Sequence, residues 1–336
     1  MDQYSAIQAL LLKHTGSAGI LNPLAGDASS REYFRAGLPG SSCIVCRDRA
    51  FSNYTGEKYP FIAVHRDLAA AGIPVPGIIA ADKEQGLFLI QDLGDELLQL
   101  VYPFLASDRV VSLYRRIIDI MIRIQSIKGS GPHFSLCFNT YRLMYEFNFF
   151  TVHAMMCYFG SGITQKDLRK LNGLFLNIAE ELDSPGHFVL NHRDLHSRNI
   201  IIQEGMPWII DFQDARMGLP QYDLVSLLYD SYVVLEPGVR QGLVQYYYDA
   251  ARNSGIVKMS RDQFDYYLSL MAFQRNIKAV GTFGYQCSCA GNMEYEKYIG
   301  QTLGYVRGYA DSSRFVAGAV EIISRYLDLE GLSGPG

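Results

Sequence analysis

Three oxygen-bearing side chains in the stretch Asn191–Leu224 have the types and the spacing that phosphoryl transfer requires. Asp194 comes first, Asn199 follows five residues later, and Asp211 ends the second of two short apolar runs. Transfer of a phosphoryl group from ATP needs one carboxylate to orient the attacking hydroxyl, and a carboxylate with an amide to hold Mg²⁺. The pattern therefore predicts Asp194 as the catalytic residue and Asn199 and Asp211 as the metal ligands, in the chain order that kinases use.

The two apolar runs predict a hairpin that brings the metal ligands together. Ile200–Gln203 and Trp208–Asp211 are partly β-branched and are separated by Glu-Gly-Met-Pro, a turn-forming sequence. Asn199 precedes the first strand and Asp211 ends the second, so an amide and a carboxylate would lie side by side. Mg²⁺ prefers such oxygen ligands. Asp194 would remain on the preceding loop, facing the acceptor. An ordinary hairpin with polar ends is the alternative.

The same block resembles a known superfamily. Asn-His-Arg-Asp-Leu-His-Ser-Arg-Asn at 191–199, Ile-Asp-Phe-Gln-Asp-Ala at 210–215 and Tyr-Asp-Leu at 222–224 are similar to the aminoglycoside phosphotransferase and choline kinase-like superfamily. Within it, the chain most resembles the anomeric sugar kinases that phosphorylate N-acetylmuramate and N-acetylglucosamine during cell-wall recycling. The other similar segments are Gly26–Arg35, Ala71–Pro76, Gln91–Gly94 and Gln274–Lys278.

This resemblance implies a fold and a reaction. The fold is α+β and protein kinase-like, with a small N-lobe built on an antiparallel sheet and a larger, mainly helical C-lobe. The implied reaction is ATP- and Mg²⁺-dependent phosphorylation of a sugar hydroxyl, above all the anomeric hydroxyl of N-acetylmuramate or N-acetylglucosamine. Two alternatives stay open. One is a kinase of an aminoglycoside or of another small alcohol or amine, such as choline or homoserine. The other is a nucleotide-binding module without catalysis.

Through the resemblance, nucleotide binding is assigned to the N-terminal part. The predicted nucleotide-binding residues are Gly26, Asp27, Ser29, Ser30, Arg47, Gln91 and Leu93. The first four belong to a small polar turn that could bring backbone amides and hydroxyls to the phosphates. Kinases of this kind carry a phosphate-binding lysine on the third strand, whereas this chain has Arg47 there. Arginine can bind phosphate through two nitrogens, and Arg31 and Arg35 are equally available. Adenine would meet backbone atoms of residues 91–93.

The predicted acceptor-binding residues are Glu146, Arg198, Asp214 and Arg275. Asp214 could instead contact a second metal ion or cap a loop. An arginine could pair with the lactyl carboxylate of muramate, and Arg275 is the predicted partner. A polar residue on an aromatic-rich helix, such as Glu146, could instead satisfy a buried backbone group. Two neighbouring residues receive structural roles. His192 is predicted to brace the catalytic loop, and Asp223 is predicted to cap a helix and to help hold the loop.

Composition argues against several classes of partner. The 336 residues carry a net charge of −4, so the chain offers no electrostatic case for nucleic acid or an anionic membrane. The 34 acidic residues form no concentrated run of the kind that a polycationic aminoglycoside would favour. No signal-peptide pattern or membrane-length apolar stretch is visible, which predicts a cytoplasmic protein. The expected partner is a small-molecule acceptor, an amino sugar by the resemblance, and the expected assembly is a monomer or a weak dimer.

The six cysteines raise the question of a zinc site. Cys43 and Cys46 form a C-x-x-C pair, and Cys287 and Cys289 form a C-x-C pair. However, Ser-Cys-Ile-Val-Cys-Arg is typical of a strand rather than of a metal knuckle, and the two pairs are far apart in the sequence. The pattern therefore disfavours a four-thiolate zinc site.

Hydrophobic periodicity divides the chain into two parts. Residues 1–95 are predicted as the nucleotide-binding N-lobe, with helices at 1–15 and 57–71, strands at 31–36, 42–47 and 86–91, and a loop at 23–30. Residues 96–330 are predicted as the C-lobe with the catalytic loop and the acceptor site. Its helices are expected at 108–128, 140–159, 164–182, 220–235, 237–254, 261–280 and 293–328. The tail, 331–336, is expected to be disordered.

Overall fold

Two compact units make up the chain. The computed structural model describes residues 3–24 and 31–329. The first unit comprises residues 1–98 and 199–214, and the second comprises residues 99–198 and 215–336. The predicted catalytic block is thereby divided, with residues 191–198 in the second unit and residues 199–214 in the first. The predicted turn Gly26–Ser30 and the predicted tail at 331–336 lie outside the described residues.

The described strands are short and pair in antiparallel fashion. They are β1 (Ile20–Leu24), β2 (Glu32–Leu38), β3 (Ser41–Arg47), β4 (Ile78–Asp82), β5 (Leu87–Gln91), β6 (Val189–Asn191), β7 (Ile200–Gln203), β8 (Met206–Ile209) and β9 (Arg216–Gly218). In the first unit, five of them form a sheet of order β1-β2-β3-β5-β4 and β7 pairs with β8. In the second unit β6 pairs with β9.

Helices account for most of the second unit. In chain order, the described α-helices are α1 (Gln3–Thr15), α2 (Pro60–Ala70), α3 (Leu98–Val101), α4 (Ser107–Ser126), α5 (Pro132–Ser135), α6 (Thr140–Phe149), α7 (Gln165–Asp183), α8 (Gln221–Leu228), α9 (Pro237–Asn253), α10 (Arg261–Ser288), α11 (Glu296–Gly308) and α12 (Arg314–Ser324). A π-helical segment, Phe150–Tyr158, continues α6. The α+β fold predicted from the sequence, a small antiparallel sheet followed by a mainly helical part, is confirmed.

The side chains of the five-stranded sheet alternate between its two faces, and each face packs against other residues. On one face, Cys43 and Val45 of β3 belong to a buried cluster with Leu11 of α1. On the opposite face, Cys46 packs with Phe88 and other aromatic residues. The strand predicted around the C-x-x-C pair is therefore confirmed. Since the two thiols point to opposite faces, they cannot bind one ion together.

The β7–β8 hairpin is fixed within the first unit by backbone hydrogen bonds. Ile202 donates its N–H to the carbonyl of Glu96 (2.8 Å), and Ile209 donates to Pro74 (2.8 Å). Just beyond β8, the ring of Phe212 stacks on Phe61 of α2, with 5.1 Å between centroids. The predicted hairpin is confirmed, but its second strand begins at Met206, so that Met206 and Pro207 belong to the strand and not to the turn. This strand ends at Ile209, so that Asp211 follows the strand instead of ending it.

The long helix α10 packs unusually close to the π-helical segment in the second unit. A Cβ atom at Gly281 would lie 2.8 Å from Cα of Phe150, and one at Gly284 would lie 2.7 Å from Cα of Ala154. Both distances are shorter than van der Waals contact, so glycine is needed at each point. This close packing fixes the position of a 28-residue helix that carries several site residues.

Several sequence predictions of secondary structure were wrong. Residues 23 and 24 belong to strand β1, not to a loop, and strand β4 was not predicted at all. The helix predicted at 220–235 ends at Leu228. The helix predicted at 293–328 is interrupted between Gly308 and Arg314, where Ser313 caps a new helix through its side chain. In the described ranges no helix is long and apolar enough to cross a bilayer.

Replacing Gly284 by alanine tests the close packing of α10. The added Cβ would meet Ala154 Cα and the carbonyl oxygen of His153, both at 2.7 Å. Overpacking of this kind costs about 1–3 kcal/mol of unfolding free energy. Gly173→Ala is the matched control, because a Cβ there meets nothing within 4 Å on α7. That variant should gain about 0.5–1 kcal/mol. Thermal unfolding of both variants measures the difference, and a Gly284→Ala protein as stable as the control would contradict the packing account.

Candidate functional site

The catalytic loop of the second unit lies between β6 and the 3₁₀ turn Ser197–Asn199. Within it, Asp194 donates its N–H to Nδ1 of His192 (3.3 Å), and His196 donates its N–H to the carbonyl of Asp194 (3.0 Å). Arg193 has a φ of +87°, in the left-handed region that non-glycine residues rarely adopt. These local bonds give the loop a tight bend and support the predicted bracing role of His192.

Two buried carboxylates hold this loop from outside. Asp223 accepts the N–H groups of His192 (2.6 Å) and Arg193 (3.0 Å). Asp230 accepts the N–H of Ser197 (2.9 Å). Burial raises the pKa of each carboxyl to about 6, against the opposing effect of these hydrogen bonds. The predicted helix cap by Asp223 is wrong, because α8 has no side-chain cap. The role in holding the loop that was also predicted for Asp223 is confirmed by its two hydrogen bonds.

The carboxylate of Asp194 is surrounded by three cationic side chains of the second unit. Lys278 donates from Nζ to Oδ1 (2.7 Å), and an Arg275 guanidinium nitrogen lies 3.4 Å from the same oxygen. Nε of Arg193 lies 3.8 Å from Oδ2. The side chain of Asp194 is 22% exposed, that of Lys278 is 16% exposed and that of Arg275 is 8% exposed. The predicted catalytic residue is therefore a partly accessible carboxylate in a mostly buried cationic surrounding.

This arrangement fixes the charge states of the cluster. Burial opposes ionisation of Asp194, but the charges of Lys278, Arg193 and Arg275 hold its pKa well below the ordinary value. Burial lowers the pKa of Lys278 to about 8, although the charge of Asp194 opposes this change. Burial also lowers the pKa of His196 to about 3, so this imidazole is neutral at physiological pH. Asp194 is consequently ionised across the whole physiological range.

Glu146 and Arg275, both predicted to bind the acceptor, belong to one buried polar network. Gln274 of α10 donates from Nε2 to Oε2 of Glu146 (2.8 Å), and Arg142 lies 3.4 Å from Oε1. Arg275 donates to the hydroxyl of Tyr222 (3.2 Å) and lies over its ring. Among the described residues, Oε1 of Glu146 and Nε of Arg275 have no hydrogen-bond partner. Both atoms are buried, and Oε1 of Glu146 has Arg142 as its ion-pair partner.

Arg198, also predicted to bind the acceptor, packs between aromatic rings. Its guanidinium lies 5.0 Å from the ring centre of Tyr232 and 5.4 Å from that of Tyr295. One of its nitrogens donates to the hydroxyl of Tyr295 (3.2 Å). These contacts support a role in fixing the end of the catalytic loop. Its part in acceptor binding stays a prediction.

In the first unit, Asn199 and Asp211 are brought together at the open end of the β7–β8 hairpin. Ile210 donates its N–H to the carbonyl of Asn199 (3.1 Å). Asp211 has a φ of +64°, a conformation that aspartate tolerates better than most residues. Its Oδ1 accepts a hydrogen bond from Nε2 of Gln213 (2.7 Å). An exposed carboxylate in a strained backbone is a frequent feature of functional sites.

The remaining predicted residues of the first unit lie at several places. Asp214 is exposed in the 3₁₀ turn after Asp211. Gln91 ends β5, where it exchanges backbone and side-chain hydrogen bonds with Gly77, and Leu93 is buried. Arg47 ends β3 and donates to Glu32 across the sheet (2.7 Å). The two arginines considered as substitutes have carboxylate partners as well, Arg31 with Asp48 and Arg35 with Asp92 and Asp95.

Two residues that surround the catalytic loop were not assigned a role from the sequence. Lys278 lies one helical turn after Arg275 on α10, and this i, i+3 spacing was the available signal. Asp230 follows α8 in a segment that was predicted to be helical, so its side chain was not considered. Neither role could be inferred without the tertiary packing of α8 and α10 on the loop.

Comparison with known proteins places the chain among phosphotransferases. The profile of a family described as "Phosphotransferase enzyme family" matches residues 20–255. The N-acetylmuramate/N-acetylglucosamine kinase of Pseudomonas aeruginosa is 30% identical over 278 residues, which cover 82% of this chain and 79% of that protein. An ADP-bound aminoglycoside phosphotransferase, APH(2'')-Ib, has a TM-score of 0.62 at 14% identity, with 96% of this chain and 99% of that chain covered. A choline kinase from Streptococcus pneumoniae has a TM-score of 0.61 at 13% identity, with coverage of 92% and 99%.

Replacing Asp223 by alanine tests whether this buried carboxylate holds the catalytic loop. The change leaves the N–H groups of His192 and Arg193 without their acceptor, at a cost of about 1–3 kcal/mol for each buried group left unpaired. We expect a lower thermal midpoint and a kcat reduced by at least about tenfold. The control is Asp249→Ala, since Asp249 is exposed on α9. Equal kcat values in the two variants would exclude this role for Asp223.

Proposed function

The chain belongs to the phosphotransferase enzyme family, and we propose that it uses ATP and Mg²⁺ to phosphorylate the anomeric hydroxyl of N-acetylmuramate or N-acetylglucosamine. It is a phosphotransferase enzyme with an alcohol group as acceptor. The observation that carries the proposed acceptor is the cationic surrounding of Asp194 in the second unit. The named relative at 30% identity supports the same choice.

Asp194 orients the acceptor in this proposal. Its Oδ1 is occupied by Lys278 and Arg275, whereas Oδ2 has Arg193 at the longer distance of 3.8 Å. In this proposal the carboxylate accepts the hydrogen bond of the attacking hydroxyl. A carboxylate with so low a pKa is a weak base, so its main contribution is orientation. That suits phosphoryl transfer, in which positioning and electrostatic stabilisation dominate.

Asn199 and Asp211 are the residues proposed to hold Mg²⁺. The amide oxygen and the carboxylate suit a hard cation that binds oxygen ligands and retains several waters. The hydrogen bond from Ile210 to Asn199 brings their backbones together, and Asp211 is exposed. When bound, the ion would neutralise phosphate charge. Two protein ligands are enough for such a site, so the residues present fit the metal.

Charge at the loop favours a neutral or anionic acceptor over a polycation. Lys278, Arg275 and Arg193 all approach Asp194, which supplies a single negative charge against three positive ones. An ammonium group beside the reacting hydroxyl would be repelled there, because like charges a few ångströms apart in a partly buried site disfavour each other. N-acetyl sugars carry no such charge next to C1. For muramate, Arg275 is the proposed partner of the lactyl carboxylate.

The contrast between Asp194→Ala and Asp211→Ala tests the assigned roles. Asp194→Ala should lower kcat by at least about a hundredfold with little change in nucleotide affinity, because the residue orients the acceptor only. Asp211→Ala should abolish Mg²⁺-dependent ATP binding as well as turnover. Steady-state kinetics and isothermal titration with MgATP measure the two effects. A near-normal kcat in the first variant, or unchanged MgATP binding in the second, would refute the corresponding role.

A matched set of acceptors tests the proposed substrate. N-Acetylmuramate and N-acetylglucosamine should stimulate ADP release, whereas their 1-O-methyl glycosides, which lack the anomeric hydroxyl, should be inert. Glucosamine differs from N-acetylglucosamine by the cationic amine at C2, so its kcat/KM should be lower by about tenfold or more. Kanamycin should not be phosphorylated. Normal turnover of a 1-O-methyl sugar would contradict the assignment of the anomeric hydroxyl. Turnover of kanamycin or choline but of no sugar would show that the acceptor is not an N-acetyl sugar.

A further inference from the structure

Lys278 lies on the face of α10 that also carries Arg275, and both side chains reach the same oxygen of Asp194. The Lys278 ammonium makes the shorter contact, 2.7 Å to Oδ1, against 3.4 Å for Arg275. Its side chain is only 16% exposed. A lysine on a helix usually extends into solvent, so this position requires an explanation.

Neutralising Asp194 does not require Lys278. Arg275 already contacts the carboxylate, and Arg193 approaches it from the loop itself. Adding a third, mostly buried cation carries a desolvation cost and places it near two like charges. The need to neutralise Asp194 therefore does not explain why a lysine is buried at this position. Costly ionisable groups that surround a reactive carboxylate are a recurring feature of active sites.

The directional contact suggests a specific role. With Oδ1 engaged by two cations from a rigid helix, the carboxylate cannot rotate freely about its Cβ–Cγ bond, and Oδ2 keeps one orientation. Helix α10 is itself held against the π-helical segment by the close contacts at Gly281 and Gly284. A loop carboxylate is thus positioned by a helix rather than by its own flexible backbone.

We propose that Lys278 is a positioning residue for phosphoryl transfer, whose ammonium form holds Oδ1 of Asp194 and thereby fixes the orientation of the carboxylate toward the acceptor hydroxyl. This inference rests on the proposed kinase function. It predicts that turnover requires a charged group at position 278. A neutral amine would lose the charge-assisted hydrogen bond, and the carboxylate would then lose its fixed orientation.

The charge of Lys278 responds to groups on three elements. The catalytic loop contributes Asp194, Arg193 and His196, α10 contributes Arg275, and α6 contributes Glu146. Burial lowers the pKa of the amine to about 8, with Asp194 opposing the change. As pH rises through that value the ammonium deprotonates, so the fraction of correctly positioned enzyme falls. Activity should accordingly decline on the alkaline side at a pH well below the ordinary lysine range.

The pH dependence of kcat/KM for the acceptor tests the proposal, because this ratio reports the ionisations of the free enzyme. In the wild type it should fall about tenfold per pH unit above pH ~8. Lys278→Arg should remain active to pH ~10, since arginine does not deprotonate in this range. Lys258→Arg is the control, because Lys258 is exposed before α10, and it should behave like the wild type. Lys278→Gln should lose at least about tenfold in kcat with an unchanged KM for ATP.

Competitive labelling of amines provides a readout without any acceptor. Acetic anhydride labelling over a pH series should give Lys278 an apparent pKa near 8, and Asp194→Asn should lower it further, because the attracting charge is gone. A pKa of Lys278 that does not change in Asp194→Asn would overturn the proposal. An alkaline decline in Lys278→Arg at the wild-type pH, or a kcat of Lys278→Gln within about twofold of wild type, would also overturn it. If no sugar stimulates ADP release in the wild type, the proposed function fails, and the labelling experiment still decides the ion pair.

Discussion

The ion cluster at Asp194 is the constraint on which the arrangement of the second unit depends. One carboxylate of the catalytic loop faces Lys278 and Arg275 of α10 and Arg193 of the loop. Burying these charges is costly unless every partner is held in place. The buried carboxylates Asp223 and Asp230 bind the loop backbone, and two glycines let α10 pack closely on its neighbour. Each contact has a separate structural cause, and together they fix one carboxylate.

The cluster also links structure to specificity. An ionised carboxylate among three cations can orient a hydroxyl, but it offers little to an acceptor that carries its own positive charge. A phosphotransferase of polycationic substrates would need the opposite balance of charge at this point. Electrostatics within the second unit supports the acceptor class that we propose for this chain, and the relative with 30% identity supports the same proposal. The first unit contributes a different element, an amide and a carboxylate at the end of a hairpin.

Predictions from the sequence were accurate where the structure of a segment is determined by its own residues. The β7–β8 hairpin was predicted because two apolar runs flank a turn sequence, and strand β3 was predicted because Ser-Cys-Ile-Val-Cys-Arg is typical of a strand. Strand β1 was missed because Asn22 and Pro23 interrupt it, and proline is tolerated there only because the strand lies at a sheet edge. The role of Lys278 was not predictable, since a lysine on a helix is normally solvated. Only the packing of α10 on the loop reveals its carboxylate partner.

A double-mutant cycle between Asp194 and Lys278 tests the central claim most directly. Values of kcat/KM for the sugar acceptor are measured at pH 7 for wild type, Asp194→Asn, Lys278→Gln and the double variant. If Lys278 acts through Asp194, its replacement costs at least about tenfold in the wild type and less than about twofold in the Asp194→Asn background, a coupling of about 1 kcal/mol or more. Equal losses in both backgrounds would mean that the two residues act independently, which would contradict the account.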